Sequence, residues 1–303
     1  MTQKIKGFIY LNGKILEMKQ AKIPVLDHGF LYGDSVYETL RTYNGYPLQL
    51  KDHIDRLFRS AKSIHLPPPK NKKQFKAIIL KTIQAYFKKF KKEDVYIRII
   101  ISRGFGDIGF DLHLCPSPNL IIIMKKVSVI PQKHYQNGVH LILVPRIRNN
   151  PKALDPNIKS GNYLNNLLAY LEAKRKGGFD AIMLNAQGHL TEGTRSNLFL
   201  VHKNKLYTPH LKSGLLKGLT RSLIFETCKK HKIPLIEKTL KPKDLFLAQE
   251  AFTCSSLQAI LPVVRVSRKK IGKGKPGPLT KKLMHTFQNA IEDSIRREHC
   301  LDS

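Results

Sequence analysis

Apolar residues along the chain follow two spacings, a period of two residues and a period of about 3.6 residues, which predict strands and helices respectively. The predicted strands cover residues 8–11, 15–16, 35–43, 95–102, 119–127, 139–144, 179–184, 197–201, 234–239 and 250–253. The predicted helices cover residues 50–64, 163–176, 219–231 and 279–297, with one more in the lysine-rich stretch 70–92. Strands mixed with helices in both halves predict a two-domain α+β or α/β fold.

A polar, turn-rich segment separates the two halves of the pattern. It begins after Pro131 and ends at Asn137-Gly138, a pair of residues that favours turns. We therefore predict an N-terminal domain over residues 1–131, an interdomain linker over 132–138 and a C-terminal domain over 139–303.

Charge is the most unusual property of the composition. The 303 residues include 53 Lys and Arg against 22 Asp and Glu, a formal net charge of +31, yet 42% of residues are apolar. That apolar fraction indicates a folded core rather than a disordered basic tail. Nine lysines between Lys70 and Lys92 alternate with apolar residues at helical spacing, which is typical of an amphipathic helix with a solvated basic face. A second basic cluster, residues 265–275, is expected to form a hairpin.

The basic surface has an alternative interpretation as a footprint for nucleic acid or an anionic membrane. The sequence contains no zinc-finger or glycine-rich RNA-binding signature, and lysine greatly outnumbers arginine, whereas base-edge recognition favours arginine. We therefore expect neither a nucleic-acid nor a membrane partner. No apolar run approaches the length of about 20 residues that a membrane-spanning helix needs.

Other common chemistries leave no trace in the sequence. The cysteines, Cys115, Cys228, Cys254 and Cys300, lie far apart, so we expect no disulfide framework, no metal site and a cytoplasmic location. The chain also lacks a P-loop, a dinucleotide fingerprint and a zinc-protease motif.

One lysine stands in an unusual setting. Lys159 lies between a turn region and the start of an apolar helix, with Gly161 and the asparagines Asn157 and Asn162 beside it. Most lysines in so basic a chain are solvated. A lysine fixed at such a junction can instead be desolvated, with a lowered pKa, and can then act as a Schiff-base nucleophile and proton carrier.

Two further segments complement this lysine. Glu192 is either a strand-end carboxylate or a buried partner for a heteroaromatic nitrogen. Leu219 and Thr220 begin a helix, so their backbone N–H groups have no acceptor within it and suit a phosphate. The turn at residues 253–256 can add further donors. An amine, an acid and a phosphate seat together are what pyridoxal phosphate requires of a protein.

At these residues the chain resembles the class IV, or fold type IV, pyridoxal-phosphate aminotransferases. That family includes branched-chain amino-acid aminotransferases, D-amino-acid aminotransferases and aminodeoxychorismate lyase. The resemblance extends nearly end to end, from residues 27–38 to residues 272–280, with the family's sequence blocks in the same order. It implies a D-amino-acid-aminotransferase-like fold with a small N-terminal α/β domain and a larger C-terminal pseudo-barrel domain that binds the cofactor.

The resemblance also implies roles for single residues. Lys159 matches the lysine that holds the cofactor as a Schiff base and moves the substrate's Cα proton, and Glu192 matches the glutamate that keeps the ring nitrogen protonated. The residues that match other cofactor contacts are Arg56, Leu219, Thr220 and Ser256 at the phosphate, Tyr163 at the phenolic oxygen and Leu216 on the ring. The residues that match the substrate site are Tyr32, Tyr37, Tyr96, Arg98, Ser255 and Leu257.

The implied reaction is transamination of leucine, isoleucine or valine with 2-oxoglutarate, in a homodimer or larger assembly. Tyr96-Ile97-Arg98 and residues 106–111 resemble the branched-chain type. The D-specific enzymes have an arginine and a histidine where this chain has Ile108 and Phe110. The departures from the branched-chain pattern are residues 194–197 and the turn at 253–258, where Leu257 and Gln258 are bulkier than the usual alanines.

Three alternatives stay open at this point. Within the family they are a D-amino-acid aminotransferase and aminodeoxychorismate lyase. Outside it, the chain is a polyanion-binding protein on a dead enzyme fold, which the joint presence of Lys159, Glu192 and Arg56 disfavours.

Overall fold

The computed structural model describes the backbone of residues 6–90 and 93–300, and the side chains as far as Arg297. The chain forms two compact units. The first takes the described parts of Met1–Ser128 and Glu298–Ser303 with the segment Ile158–Asn162, and the second takes Val129–Asn157 and Tyr163–Arg297. Lys91 and Lys92 of the predicted basic helix, and the outermost residues of the predicted domains, lie outside the described residues.

The first unit is built on a six-stranded antiparallel sheet with the order β2-β1-β6-β5-β3-β4. Its strands are β1 (Gly7–Leu11), β2 (Lys14–Glu17), β3 (Ser35–Tyr43), β4 (Tyr46–Pro47), β5 (Val95–Ser102) and β6 (Asn119–Lys126). Its helices are α1 (His28–Leu31), α2 (Leu50–Ser63) and α3 (Lys72–Lys89), with a 3₁₀ turn at Leu112–Leu114. The sequence pattern predicted β3 and β5 with these same ends.

Alternate side chains of β5 point to opposite faces of this sheet. One face is fully buried, and the other, called the mixed face, carries both polar and apolar side chains that are half-buried. Ile97, Ile99 and Ile101 are fully buried and pack in one core with residues of α2 and α3, whereas Tyr96 and Arg98 point to the other face and are half-buried. Such alternation of buried and half-buried side chains is expected where helices cover only one face of a sheet.

The lysine-rich segment forms the amphipathic helix that its spacing predicted. In α3, Phe75, Ile79 and Ile83 are buried in the core of the first unit, and Lys81 and Lys88 are exposed. Asn71 and Gln74 form a capping box that fixes the start of the helix. The high charge of this segment is therefore carried by a solvent-facing helix surface.

A buried ionic cluster joins α2 to β3. The Glu38 carboxylate on β3 accepts hydrogen bonds from Arg56 Nε at 2.6 Å, from Arg56 Nη2 at 2.8 Å and from His53 Nδ1 at 2.7 Å. Glu38 is 0% exposed, and both α2 side chains are buried as well. Burial raises the pKa of Glu38, but the charges and hydrogen bonds of Arg56 and His53 outweigh it and hold that pKa far below its ordinary value. Burial lowers the pKa of His53, and the neighbouring Glu38 carboxylate opposes that effect.

The second unit contains a nine-stranded sheet with the order β12-β11-β10-β13-β14-β7-β8-β9, with β15 paired to β14. Its strands are β7 (Val139–Ile147), β8 (Asp180–Leu184), β9 (Leu190–Gly193), β10 (Asn197–His202), β11 (Lys205–Pro209), β12 (Leu235–Lys238), β13 (Glu250–Ser255), β14 (Ala259–Val266) and β15 (Lys269–Lys270). Its helices are α4 (Gln132–Asn137), α5 (Leu164–Arg175), α6 (Leu219–Lys230), α7 (Pro242–Leu247) and α8 (Pro278–Cys300), with a 3₁₀ turn at Leu211–Ser213.

Six of these strands close on themselves. The additional pairing of β9 with β10, at Glu192 and Asn197, completes a ring through β13, β14, β7 and β8. A closed ring leaves its members without free edges, which is the defining property of a barrel. The larger unit therefore has the pseudo-barrel that was predicted for the C-terminal domain.

The segment predicted as a linker has regular structure. Residues 132–137 form α4, which starts after Pro131 and ends where Gly138 takes a left-handed φ of 77°. The Tyr135 hydroxyl donates to the Gln258 carbonyl at 3.1 Å, so this helix belongs to the second unit. A single polar turn of helix has no apolar stripe, and periodicity therefore gave no sign of it.

The predicted basic hairpin is present in part, because β15 pairs with Arg265 and Val266 of β14. Among the residues that the structure describes, no helix is long and apolar enough to cross a membrane. Within the same residues, no three His, Cys, Asp or Glu side chains are grouped as a metal site.

The ionic cluster gives a stability prediction. Glu38→Gln keeps the size of the side chain but removes the buried negative charge that faces Arg56 and His53. We expect the free energy of unfolding at neutral pH to fall by about 3–5 kcal/mol, measured by guanidinium denaturation. Because the folded-state pKa of Glu38 is depressed, the wild type should lose this contribution as the pH falls below the ordinary glutamate value of 4.5, and the variant should not.

Asp55→Asn is the matched control. Asp55 lies on the same helix and pairs with Lys51 and Lys72 at the surface. Exposed pairs of this kind contribute about 0–1 kcal/mol. If Glu38→Gln were no more destabilising than Asp55→Asn, the cluster would not hold the first unit together.

Candidate active site

The backbone around Lys159 is held from two sides within the first unit. The Lys159 amide donates to Ser60 Oγ of α2 at 3.1 Å, and its carbonyl accepts from the Tyr37 amide of β3 at 2.9 Å. Ser160 forms an isolated bridge with Val36, so this short segment runs beside β3 like an extra strand. The lysine is therefore fixed at its Cα rather than carried on a free loop.

Gly161 is required by this arrangement. Its amide donates to the Ser35 carbonyl at 2.7 Å, and a Cβ at this position would collide with the Ser35 hydroxyl. The glycine that marked the segment in the sequence therefore allows the chain to approach β3 closely.

The Lys159 side chain reaches the mixed face of the sheet beside Tyr37. Its Nζ lies 3.4 Å from the Tyr37 hydroxyl and 4.4 Å from the centre of that ring. The Arg98 guanidinium lies over the same ring at 4.0 Å. Both cations lie within the range of a cation–π interaction. The face thus combines an amine nucleophile, a phenol and a guanidinium that can receive a carboxylate.

The other predicted residues of the first unit occupy three places. Arg56 is buried in the cluster with Glu38, one helical turn before Ser60, so it lies on the side of α2 that faces the Lys159 segment. Tyr96 shares the mixed face with Arg98 and has Lys125 Nζ 5.5 Å from its ring centre. Tyr32 packs against His28 and Phe110.

Glu192 is a buried carboxylate in the second unit. Its Oε1 accepts from Arg148 Nε at 3.0 Å and from the Leu216 amide at 3.3 Å, and its Oε2 accepts from Asn197 Nδ2 at 3.2 Å. Asn197 also donates to the Leu216 carbonyl at 2.9 Å. Glu192 is thus a buried carboxylate, and the Arg148 guanidinium compensates for the removal of its charge from water.

The start of α6 provides the anticipated donors for an anion. Gly218 is the N-cap and gives no side-chain hydrogen bond, so the amides of Leu219 and Thr220 have no acceptor in the helix. A Cβ on Gly218 would collide with Asn197 Oδ1, which places this helix start directly beside the Glu192 partners. Thr220, in the first turn of this helix, is buried.

The remaining predicted residues of the second unit lie in the turn after β13 and at the position just before α5. The turn with Ser255, Ser256 and Leu257 connects β13 to β14, and Gln258 folds its amide back onto Thr253 Oγ1 at 3.1 Å. Tyr163 precedes α5 and donates its phenolic proton to the Thr194 carbonyl at 3.1 Å.

Sequence reasoning missed the residues that hold these groups. Glu38, Ser60, Arg148 and Asn197 were not among the predicted site residues, although each makes a hydrogen bond to one of them. Arg148 is one of 53 basic residues, and nothing local distinguishes it from the solvated ones. Only its burial at the end of β7 does so.

Comparison with known proteins places this geometry in a family. The model of the amino-transferase class IV family matches residues 35–266. A putative branched-chain-amino-acid aminotransferase of Methanocaldococcus jannaschii is 37% identical, over 93% of this chain and 95% of the relative. A D-alanine aminotransferase of Bacillus licheniformis is 29% identical, over 93% of this chain and 96% of the relative.

A solved structure agrees over nearly the whole length. The branched-chain aminotransferase of Thermoproteus uzoniensis, solved with norvaline, superposes with a TM-score of 0.87 at 30% identity and covers 95% of this chain and 96% of its own. This similarity confirms the predicted fold type IV architecture, and the family match confirms pyridoxal phosphate as the cofactor. The chain belongs to the class IV aminotransferases and is a pyridoxal-phosphate-dependent aminotransferase.

Proposed function

We propose that this aminotransferase moves the amino group of leucine, isoleucine or valine to 2-oxoglutarate, giving the branched 2-oxo acids and L-glutamate. The observation that carries the proposal is the arrangement of Arg98, Tyr37 and Lys159 on the mixed face of the first sheet. The relative from M. jannaschii and the structure from T. uzoniensis, both of the branched-chain type by name, support it.

The mixed face suits a substrate with one carboxylate and an aliphatic side chain. The planar guanidinium of Arg98 can bind a carboxylate through two parallel hydrogen bonds. On the same face, Arg98 pairs across the sheet with Ile123, and Ile100 pairs with Ile121. All three isoleucines are half-buried, so a branched side chain placed against them would remove more apolar surface from water.

The residues present fit pyridoxal phosphate, since an amine, a buried carboxylate and an uncapped helix start are all in place. When bound, the cofactor supplies a carbonyl that links to amino groups and a ring that takes up negative charge from the substrate's Cα. We assign Lys159 to the covalent link and to carrying the Cα proton, and Glu192 to the ring nitrogen. We assign the cofactor's phenolic oxygen to Tyr163 and its ring face to Leu216. Its phosphate is assigned to Arg56, Leu219, Thr220 and Ser256.

The supporting groups explain how these residues work. Arg148 and Asn197 fix both oxygens of Glu192, so the carboxylate can accept from a ring N–H without rearranging. Ser60 and Tyr37 fix the Lys159 backbone, so only its side chain must move to carry a proton. Tyr32, Tyr96, Ser255 and Leu257 are assigned to the substrate with Tyr37 and Arg98.

We further propose a cytoplasmic homodimer or larger assembly whose ligands are amino acids and 2-oxo acids. The first unit exposes several apolar side chains in two segments, residues 23–30 and 105–112, a pattern that commonly marks a protein interface. These side chains are Ile23, Val25, Phe30, Phe105, Ile108, Phe110 and Leu112. Cys115, Cys228 and Cys254 are free thiols, which suits a reducing compartment.

A D-amino-acid aminotransferase is the second candidate because of the relative from B. licheniformis. The loop after Arg103-Gly104 disfavours it. Ile108 and Phe110, at 70% and 87% exposure, stand where the D-specific enzymes have an arginine and a histidine. Neither residue can bind a carboxylate.

The covalent role of Lys159 is tested by the colour of the protein. Purified protein reconstituted with pyridoxal phosphate should show a visible absorption band of the bound cofactor, and Lys159→Ala should lose it. Lys152→Ala, an exposed lysine nearby in the sequence, is the control and should keep the band. A variant that lacks Lys159 but keeps the wild-type band would contradict the assignment.

The role assigned to Glu192 is tested by a variant that should still bind the cofactor but turn over slowly. Glu192→Ala removes the acceptor for the ring nitrogen, and we expect the visible band to persist while kcat falls at least about a hundredfold. Glu226→Ala changes an exposed glutamate of α6 and should leave kcat unchanged. Near-normal turnover in Glu192→Ala would remove this role.

The substrate is tested by a panel of amino donors. With 2-oxoglutarate as acceptor, L-leucine, L-isoleucine and L-valine should be turned over faster than D-alanine, and aminodeoxychorismate should release no pyruvate. Turnover of D-alanine alone would support the second candidate, and pyruvate release would support the lyase. A coloured protein that turns over none of the three branched-chain donors would contradict the proposed substrates.

A further inference from the structure

Asp180 is a buried carboxyl group to which the proposed function gives no role. It is the first residue of β8 and is 6% exposed. Its Oδ1 accepts from the Thr194 hydroxyl at 2.5 Å and from the Ala181 amide at 2.8 Å. Burial raises its pKa, against the smaller lowering effect of these two hydrogen bonds and of the charges on Arg195 and Lys174. Burying an acidic group costs free energy, which its hydrogen bonds must offset.

Thr194 connects this acid to the predicted cofactor residues. It is 1% exposed and follows Glu192-Gly193 in the turn between β9 and β10. Its carbonyl accepts from the Tyr163 hydroxyl at 3.1 Å and from Asn166 Nδ2 at 2.8 Å. The turn is closed by the Gly193 amide, which donates to the Ser196 carbonyl at 2.7 Å. One residue thus holds Asp180 by its side chain and Tyr163 by its backbone.

The chemistry of threonine makes this connection stiff. A β-branched side chain has few accessible χ1 angles, so a hydrogen bond that fixes Oγ1 also restrains the peptide to which it is attached. The hydroxyl–carboxyl distance of 2.5 Å is at the short end of the range for an O–H···O hydrogen bond. The carbonyl that orients Tyr163 is therefore restrained through Asp180.

We propose that Asp180 is a positioning residue of the aminotransferase site. Through the Thr194 hydroxyl it fixes the Thr194 carbonyl, which in turn orients the Tyr163 phenol and steadies the strand end that carries Glu192. The inference rests on the proposed roles of Tyr163 and Glu192 toward the cofactor. It adds a residue that touches neither cofactor nor substrate.

The test is a pH titration of the visible absorption of the cofactor-loaded protein, because Tyr163 is assigned to the cofactor's phenolic oxygen. Asp180→Ala and Thr194→Val should shift the midpoint in the same direction as Tyr163→Phe, by about half a pH unit or more. The double variant Asp180→Ala/Tyr163→Phe should shift it no further than Tyr163→Phe alone, since both act through one phenol. Asp180→Asn keeps an acceptor for the Thr194 hydroxyl and should restore most of the wild-type midpoint.

Asp293→Ala is the control, since Asp293 pairs with Lys230 at the surface of the same unit, and it should titrate like the wild type. The proposal is overturned if Asp180→Ala lowers the unfolding temperature but leaves the midpoint unmoved, or if the shifts in the double variant add. Should Asp180→Ala fail to fold, Thr194→Val alone decides, and an unmoved midpoint overturns the proposal. A wild-type protein that takes up no cofactor would overturn the proposed function and this inference together. A wild-type band with unmoved variants overturns the inference alone.

Discussion

The contact of the Glu38 carboxylate with α2, buried between that helix and β3, is the interaction on which the position of the Lys159 segment depends. The carboxylate binds Arg56 and His53 of α2 at 2.6–2.8 Å with no exposure to water. The same strand and helix hold the two sides of the Lys159 backbone, through Tyr37 and Ser60. A shift of α2 against β3 would therefore move Lys159. Breaking a buried ion pair costs about 3–5 kcal/mol, against about 0–1 kcal/mol for surface pairs such as Lys89–Glu17.

The second unit uses a related device for a different purpose. Glu192 is also paired with a buried arginine, Arg148, but its remaining bonds come from an amide side chain and a backbone amide rather than from a second basic residue. The partners of Glu38 all lie on one helix, which suits a joint between elements. Those of Glu192 come from β10, the segment before α6 and the residue that follows β7, so the carboxylate is held from three parts of the unit. One pair joins two elements of the fold, and the other holds the carboxylate that we assign to the cofactor's ring nitrogen.

Most of the strands and helices could be predicted from the sequence because their apolar spacing is strong, as in β3, β5 and α3. Short polar elements such as α4 and the four-residue β9 could not, since they carry no period. The candidate site residues Lys159, Glu192 and Thr220 could be proposed from the sequence because each stands near a glycine that the structure requires or at a helix start. Glu38, Arg148 and Asp180 could not. Their partners lie 18, 44 and 14 residues away, and only the folded chain brings them together. The net charge of +31 did not help to identify these residues, because the lysines of α3 that face solvent belong to the surface.

The central claim is that this fold singles out one lysine, among many, for a covalent bond to pyridoxal phosphate. The most direct measurement is to load the purified protein with the cofactor, reduce the complex with borohydride and map the labelled peptides by mass spectrometry. The account predicts a single phosphopyridoxyl label on Lys159, with the surface lysines of α3 unlabelled as internal controls. A label spread over surface lysines, or placed on any lysine but Lys159, would contradict it.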